Sequence, residues 1–504
     1  MNAETKHFVR GLGLFDSVMI VIGAMIGSGI FIVPAEMARQ VGSPGWLLVA
    51  WAFAGLLTIA AALSYGELAS MMPEAGGMYI FLREAFSPLS GFLYGWTLFT
   101  VIQTGTIAAV AVAFTRFFGL LWPAVSESSY LIAPIRLSSG YAISLSTAQF
   151  TGILVIATLT WTNSRGLEYG KIVQNLFTSA KLVALFALVV LGFTFGWNPA
   201  AVHENFSNFW TPRGFDPVAA GVSAATAFGL VVAICVAQSG SLFSADSWHN
   251  VTFAGGEVRD PRRTLPRAVY AAGALIAFIY VAGTFAVLAL VPAADLDPQS
   301  GVFHAIAIGS VALRIGFLGV LAALLVTVGN AGGVGSTVAG IARVPFVVGI
   351  DRYLPAAFGK IHPRWRTPWV SILVQGGLSG LFLLLSQIND STRGAYQSLV
   401  DVAIILYFIP FLYMFAAVIR LARRPDRASN PHAILVPGCS AGTWNGGSLG
   451  FLNVRVAIFF SIIPPGDTSS RSFFEFKVGL TTLASILLGL ILYWRGARTK
   501  QAAE

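Results

Sequence analysis

The stretch Ile22-Gly23-Ala24-Met25-Ile26-Gly27-Ser28-Gly29-Ile30-Phe31 decides how this chain is read. It lies inside an apolar run over 16–41, and a bilayer-crossing helix takes about 20 such residues. Gly27-Ser28-Gly29 sits near the middle of the run, where flexible residues cost a helix most. A break at membrane depth survives only where it faces protein or a water-filled cavity. Two structures fit the same letters. In one, Gly23 and Gly27 form a GxxxG face for close helix contact. In the other, the helix is discontinuous. The free amides of its outer half then face an anion, and the free carbonyls of its inner half face a cation.

The surrounding chain supplies the lipid setting. Of 504 residues, 56% are hydrophobic and only 11% charged, with a mean hydropathy of +0.75. Soluble domains average about 25% charged residues, so too little polar surface remains to cover a water-soluble globule. Apolar runs recur near 16–41, 46–71, 91–121, 147–162, 172–196, 218–245, 268–291, 310–345, 368–386, 398–420, 444–463 and 474–494. The expectation is an all-α integral membrane protein of twelve transmembrane helices. With the N-terminus inside, 21 of the 31 Lys and Arg fall in inner segments and 6 in outer ones, the rest lying within or at the edge of spans. That asymmetry predicts both termini in the cytoplasm and a cytoplasmic (inner) membrane location.

Several function classes drop out. The net charge of +9 comes from short basic clusters between apolar runs, so no nucleic-acid partner is expected. Cys235 and Cys439 make no disulfide framework. Lys6 and Arg10 lead straight into the first span without an A-x-A-like site, which predicts that this span is retained. No HExxH, CxxC or P-loop pattern is present, so no cofactor, metal or enzyme activity is expected. No filter-like loop of carbonyl donors argues for a channel. A carrier of a small solute remains.

Other positions do not belong in lipid. Ser239-Gly240-Ser241-Leu242-Phe243-Ser244-Ala245-Asp246-Ser247-Trp248 closes the sixth span. It reads equally as a loop entry or a second mid-helix break. Spans one and six are the first of two sets of five, and secondary transporters carry inverted repeats broken at corresponding places. The division expected is 16–196 for spans one to five, 218–422 for spans six to ten, and 444–494 for the last two. Lys181 lies about nine residues into span five. An ammonium there is either functional or snorkels to the interface. Arg455, beside Asn453 in span eleven, is expected to turn into the bundle for structural pairing. Glu36 and Glu67 are expected to be solvated or paired. Gln103 and Thr104 are candidates for a cavity wall, or for ordinary interhelical hydrogen bonds.

Ile26-Gly27-Ser28-Gly29-Ile30-Phe31 with Pro34 resembles the first-helix signature of the amino acid–polyamine–organocation superfamily. Trp248-His249-Asn250-Val251-Thr252-Phe253, followed by Glu257-Val258-Arg259-Asp260-Pro261-Arg262-Arg263-Thr264-Leu265-Pro266-Arg267-Ala268, resembles the sixth helix and its loop. Ala342-Arg343-Val344-Pro345-Phe346, then Leu354-Pro355, Ile361-His362-Pro363 and Thr367-Pro368, resembles the eighth-helix exit. The similarity spans about Gly11 to Trp494 and is strongest to prokaryotic relatives of the L-type amino acid transporters.

The resemblance implies a LeuT-like five-plus-five inverted repeat with helices one and six unwound. It also implies a permease for amino acids, with neutral L-amino acids favoured, working by sodium-independent exchange or proton symport; a polyamine or organic-amine carrier is the alternative. Gly27, Ser28 and Gly29 would give amides to a substrate carboxylate. Carbonyls near Met25, Ile26, Phe243 and Ser244 would take its amino group, and Phe243 would lid the site. Asp246 is the single acid near the second break. Lys181 would occupy the place of a sodium ion. Departures from the pattern fall at Ala245, Ser247, His249 and the glycines Gly332, Gly333 and Gly335. These glycines leave the helix-eight partner of Lys181 open, with Ser336 and Thr337 as candidates. Loop 122–146 has no cysteine, so no disulfide-linked accessory subunit is expected.

Overall fold

The structure, a computed structural model, describes residues 10–27, 29–138, 141–194, 197–213, 224–296, 317–386, 392–421, 439–461 and 471–501. The apolar run at 16–41 forms two helices, α1 (Leu14–Met25) and α2 (Gly29–Val41). The Gly13 amide donates to the Asp16 carboxylate at 3.1 Å at the start of α1. Ile26 leaves the helical region with φ −75° and ψ 89°, and α1 stops there. Ser28 lies outside the described residues. Helix α3 (Pro44–Met71) opens on a Ser43 hydroxyl that accepts the Trp46 amide, with proline in its first turn.

Helices α4 (Met78–Ala85) and α5 (Pro88–Thr97) follow. A π-helical turn over Leu98–Ile102 joins α5 to α6 (Gln103–Leu121). Such turns widen the backbone and are frequent at functional sites. Next come α7 (Thr147–Ser164), α8 (Leu167–Phe193), α9 (Pro199–Ser207), α10 (Ala227–Ser244), the short α11 (Asn250–Phe253) and α12 (Pro261–Leu290). The chain continues through α13 (Phe317–Ile341), α14 (Arg343–Ile350), α15 (Trp369–Ser386), α16 (Thr392–Leu421), α17 (Cys439–Ser461) and α18 (Arg471–Gln501). The division points expected at 196, 218 and 422 lie outside the described residues.

The all-α expectation is corrected at one place. Strand β1 (Tyr130–Ser138) pairs antiparallel with β2 (Tyr141–Ser146). The segment is rich in β-branched and aromatic residues and too short in apolar content to span, so it extends and pairs locally.

Among the described residues, seven helical stretches are long and apolar enough to cross a membrane: Leu14–Val41, Pro44–Met71, Pro88–Leu121, Gly170–Val190, Ala227–Ser244, Pro261–Leu290 and Ala323–Gly349. Trp369–Leu384 and Tyr407–Leu421 are shorter apolar helices. Early helices pack against later ones. Helix α2 packs on α10, α3 on α12, and α6 on α13. Trp51 of α3 meets Tyr280 of α12 edge to face, 5.5 Å between centroids.

Candidate functional site

The carbonyls of α1 are taken up one by one along a polar stripe of α8. Gln174 Nε2 and Thr178 Oγ1 donate to the Met19 carbonyl at 3.3 and 3.2 Å. Lys181 Nζ donates to the Gly23 carbonyl at 2.7 Å. Spacings of four and three put these side chains on one helix face. Gly23 makes the approach possible, since a Cβ there would stand 2.0 Å from Gln174 Nε2. On the far side, Cβ atoms at Gly329 and Gly333 would lie 2.7 Å from Lys181 Cγ and 3.5 Å from Nζ. Gly329 and Gly333 of α13 therefore form the slot that admits the lysine. Lys181 is buried and does not reach the interface. Its partner is a helix-one carbonyl, while Ser336 Oγ donates within its own helix to the Gly332 and Gly333 carbonyls.

Gly27 does a different job from Gly23. A Cβ there would meet nothing within 4 Å, because the residue borders a cavity. Gly29 lets α2 lie close to the end of α10: a Cβ there would fall 2.9 Å from Ser244 Cα. Between these points, the Met25 carbonyl accepts from the Gly27 amide at 2.9 Å and from the Tyr280 hydroxyl at 3.0 Å. The same hydroxyl reaches the Ser244 carbonyl at 3.0 Å. Tyr280 thus bridges the last carbonyls of α1 and α10 with one proton. Sequence reasoning missed it; its signal was a phenol in an otherwise apolar stretch, where a buried tyrosine hydroxyl needs a partner.

The second break runs from Ala245 to His249, between α10 and α11. Ser247 adopts φ 72°, a left-handed conformation that favours glycine. Its turn carries Asp246 toward the cavity and His249 into the core.

The cavity holds about 540 Å³ of empty space, its open mouth included. Of the expected site residues, Met25, Gly27, Gly29, Phe243, Ser244 and Asp246 line it, joined by Ala24, Ser247, Ile102, Thr106, Val110, Tyr407 and Phe408. Ile26 is fully buried and turns away. Lys181 stands behind α1, apart from the lining. Ile102 lies on the π-helical turn. Gln103 and Thr104 are absent from the lining and make interhelical bonds instead, to the Tyr407 hydroxyl at 3.3 Å and from Gln375 Nε2 at 2.9 Å.

Away from the cavity, Glu67 is buried and accepts from Thr443 Oγ1 at 3.2 Å. The expectation that Arg455 turns into the bundle is not met, for it is exposed on α17. Glu257 and Arg343, from two separate stretches that carried the family resemblance, form a buried ion pair at 2.9 and 3.0 Å.

A family model described as amino acid permease matches residues 12–485. The serine/threonine exchanger SteT of Bacillus subtilis is 26% identical over 86% of this chain and 88% of its own length. The large neutral amino acids transporter small subunit 2 of Mus musculus is 28% identical over 83% of this chain and 71% of its own. Among solved structures, MhsT in complex with L-phenylalanine superposes with a TM-score of 0.58 at 16% identity, over 93% of this chain and all of that one. That last likeness concerns the fold alone.

Proposed function

The chain belongs to the amino acid permease family and is a multi-pass membrane transporter of amino acids; from that premise we propose that it carries neutral L-amino acids without sodium, by exchange or proton symport. The observation that carries this reading is the cavity between the two helix breaks, lined by Met25, Gly27, Gly29, Phe243 and Ser244. The first-turn amides of α2 suit a carboxylate, and the carbonyl end of α10 suits an ammonium. A zwitterion matches both at once, and Phe243 covers it. Ala24, Ile102, Val110 and Phe408 add an apolar part to the lining, which suits an uncharged side chain. Lys181 supplies a fixed cation on the Gly23 carbonyl, in the place where a sodium ion would otherwise serve.

The same reading assigns twelve transmembrane helices in a five-plus-five inverted repeat, 16–196 and 218–422, with helices one and six unwound and 444–494 as the final pair. The packing of α2 with α10, α3 with α12 and α6 with α13, which pairs equal ranks on that division, supports it. Both termini face the cytoplasm, and the bilayer is the cytoplasmic membrane. The protein works without a disulfide-linked accessory subunit. One observation favours a second reading: Asp246 is an acidic side chain in the lining, which suits an organic amine.

Purified protein in liposomes tests this. Vesicles preloaded with neutral amino acids should take up labelled leucine or alanine equally with and without sodium. Uptake of putrescine or arginine alone would overturn the neutral assignment and establish the amine carrier. A strict sodium requirement would remove Lys181 from its role.

A further inference from the structure

From the cavity wall at Asp246 and Tyr407 into the core, four polar side chains form a row that the binding of a zwitterion does not require. Gln103 Nε2 donates to the Tyr407 hydroxyl at 3.3 Å, and that hydroxyl stands 2.6 Å from His249 Nε2. His249 Nδ1 then lies 3.9 Å from Asp246 Oδ1. The Tyr407 hydroxyl accepts from Gln103 and faces both His249 Nε2 and the Asp246 carboxylate, so Tyr407 and His249 hold Asp246 from the core side. The His249 side chain is 0% exposed and that of Asp246 11%. Neither His249 Nδ1 nor Asp246 Oδ1 has a hydrogen-bond partner.

Leaving such atoms unpaired in the interior costs free energy, and ionisable groups inside a membrane protein mark proton or ion paths. The titratable side chains around the pair are Tyr65 of α3, Tyr94 of α5 and Tyr407 of α16. Among the described residues, no lysine or arginine nitrogen lies within 4.0 Å of the Asp246 carboxylate. Lys181 is engaged on the Gly23 carbonyl.

We infer that Asp246 carries the coupling proton of this transporter, with His249 and Tyr407 as positioning residues. The inference rests on the reading of the cavity as the amino acid site and adds the coupling ion to it. In the outward-open state the Asp246 carboxylate takes one proton from the outer solution. The neutral acid leaves a cavity that suits a zwitterion with an uncharged side chain. After inward opening the proton leaves to the cytoplasmic solution and the carboxylate is restored. One proton and one zwitterion enter per cycle, and one positive charge moves inward.

The test uses the full chain in liposomes with a pH-reporting dye inside and labelled L-alanine outside. Wild-type protein should acidify the lumen when alanine is added. The proton-to-alanine ratio of Asp246→Asn, normalised to the alanine flux that variant retains, should fall by about tenfold or more. An unchanged ratio overturns the inference. Where Asp246→Asn retains too little flux to normalise, His249→Asn decides: the midpoint of its pH–uptake profile should move by about one unit, and an unmoved midpoint overturns the proposal. Absence of acidification by wild-type protein that still performs alanine counterflow overturns the proton role and leaves the amino acid site standing. Absence of counterflow for every neutral amino acid overturns the site itself.

Discussion

The break after Met25 contains glycine and no ionisable group, whereas the break after Ser244 carries Asp246 and His249 and turns a serine through φ 72°. Both meet the same cavity. Among the described residues, the first break brings Gly27 to the cavity, while Gly23, inside α1, admits α8. The second contributes side chains, and it accepts a strained residue to aim them. A break made of backbone serves any amino acid, because every amino acid has the same two charged ends. A break made of side chains is where one transporter can differ from another.

Substitutions can break or sharpen this contrast. The largest effect is expected at Gly27→Leu. The site has room for a side chain and does not need a positive φ, so the variant should fold and migrate as wild type on gel filtration. Its uptake should fall roughly a hundredfold, since displacing a ligand by an ångström already costs that much. Normal uptake by well-folded Gly27→Leu would show that the first break is packing alone.

Lys181→Ala comes next. It strips a charged donor from the Gly23 carbonyl. A charged hydrogen bond is worth about 1.5–3 kcal/mol, so uptake should drop by about tenfold or more. Uptake and pH dependence that survive intact would reduce the lysine to a structural role. Tyr280→Phe removes the proton shared by both breaks and should cost about fivefold in uptake, one neutral hydrogen bond's worth. An effect confined to thermal stability would mean that the bridge holds the fold and not the cycle. The smallest effect is at Ser247→Gly, which relieves a left-handed serine. It should raise the thermal unfolding midpoint, with a gain of about 1 kcal/mol. A lower midpoint would show that the serine side chain does more than fill the turn.

The first break was half legible in the sequence, because glycine in the middle of an apolar run fits either a GxxxG packing face or a discontinuous helix. Asp246 and Lys181 were legible because a charge in such a run is expensive. Tyr280, Tyr407 and Gln174 were not. Membrane helices are apolar on the lipid side and on the bundle side alike, so periodicity does not reveal which face turns inward. Gln103 and Thr104 were read as wall residues or as interhelical hydrogen-bonders, and they are the latter, while Ile102 and Thr106 line the cavity. The π-helical turn at Leu98–Ile102 precedes them and changes the rotation of everything after it. The β1–β2 pair went unread because 122–146 reads as a loop between two spans and was not searched for alternation.

The hydroxyl of Tyr280 touches two carbonyls and owns one hydrogen. Any movement that separates the ends of α1 and α10 forces it to choose between them. The Met25 carbonyl keeps the Gly27 amide either way, so separating the two ends is felt most at the Ser244 carbonyl.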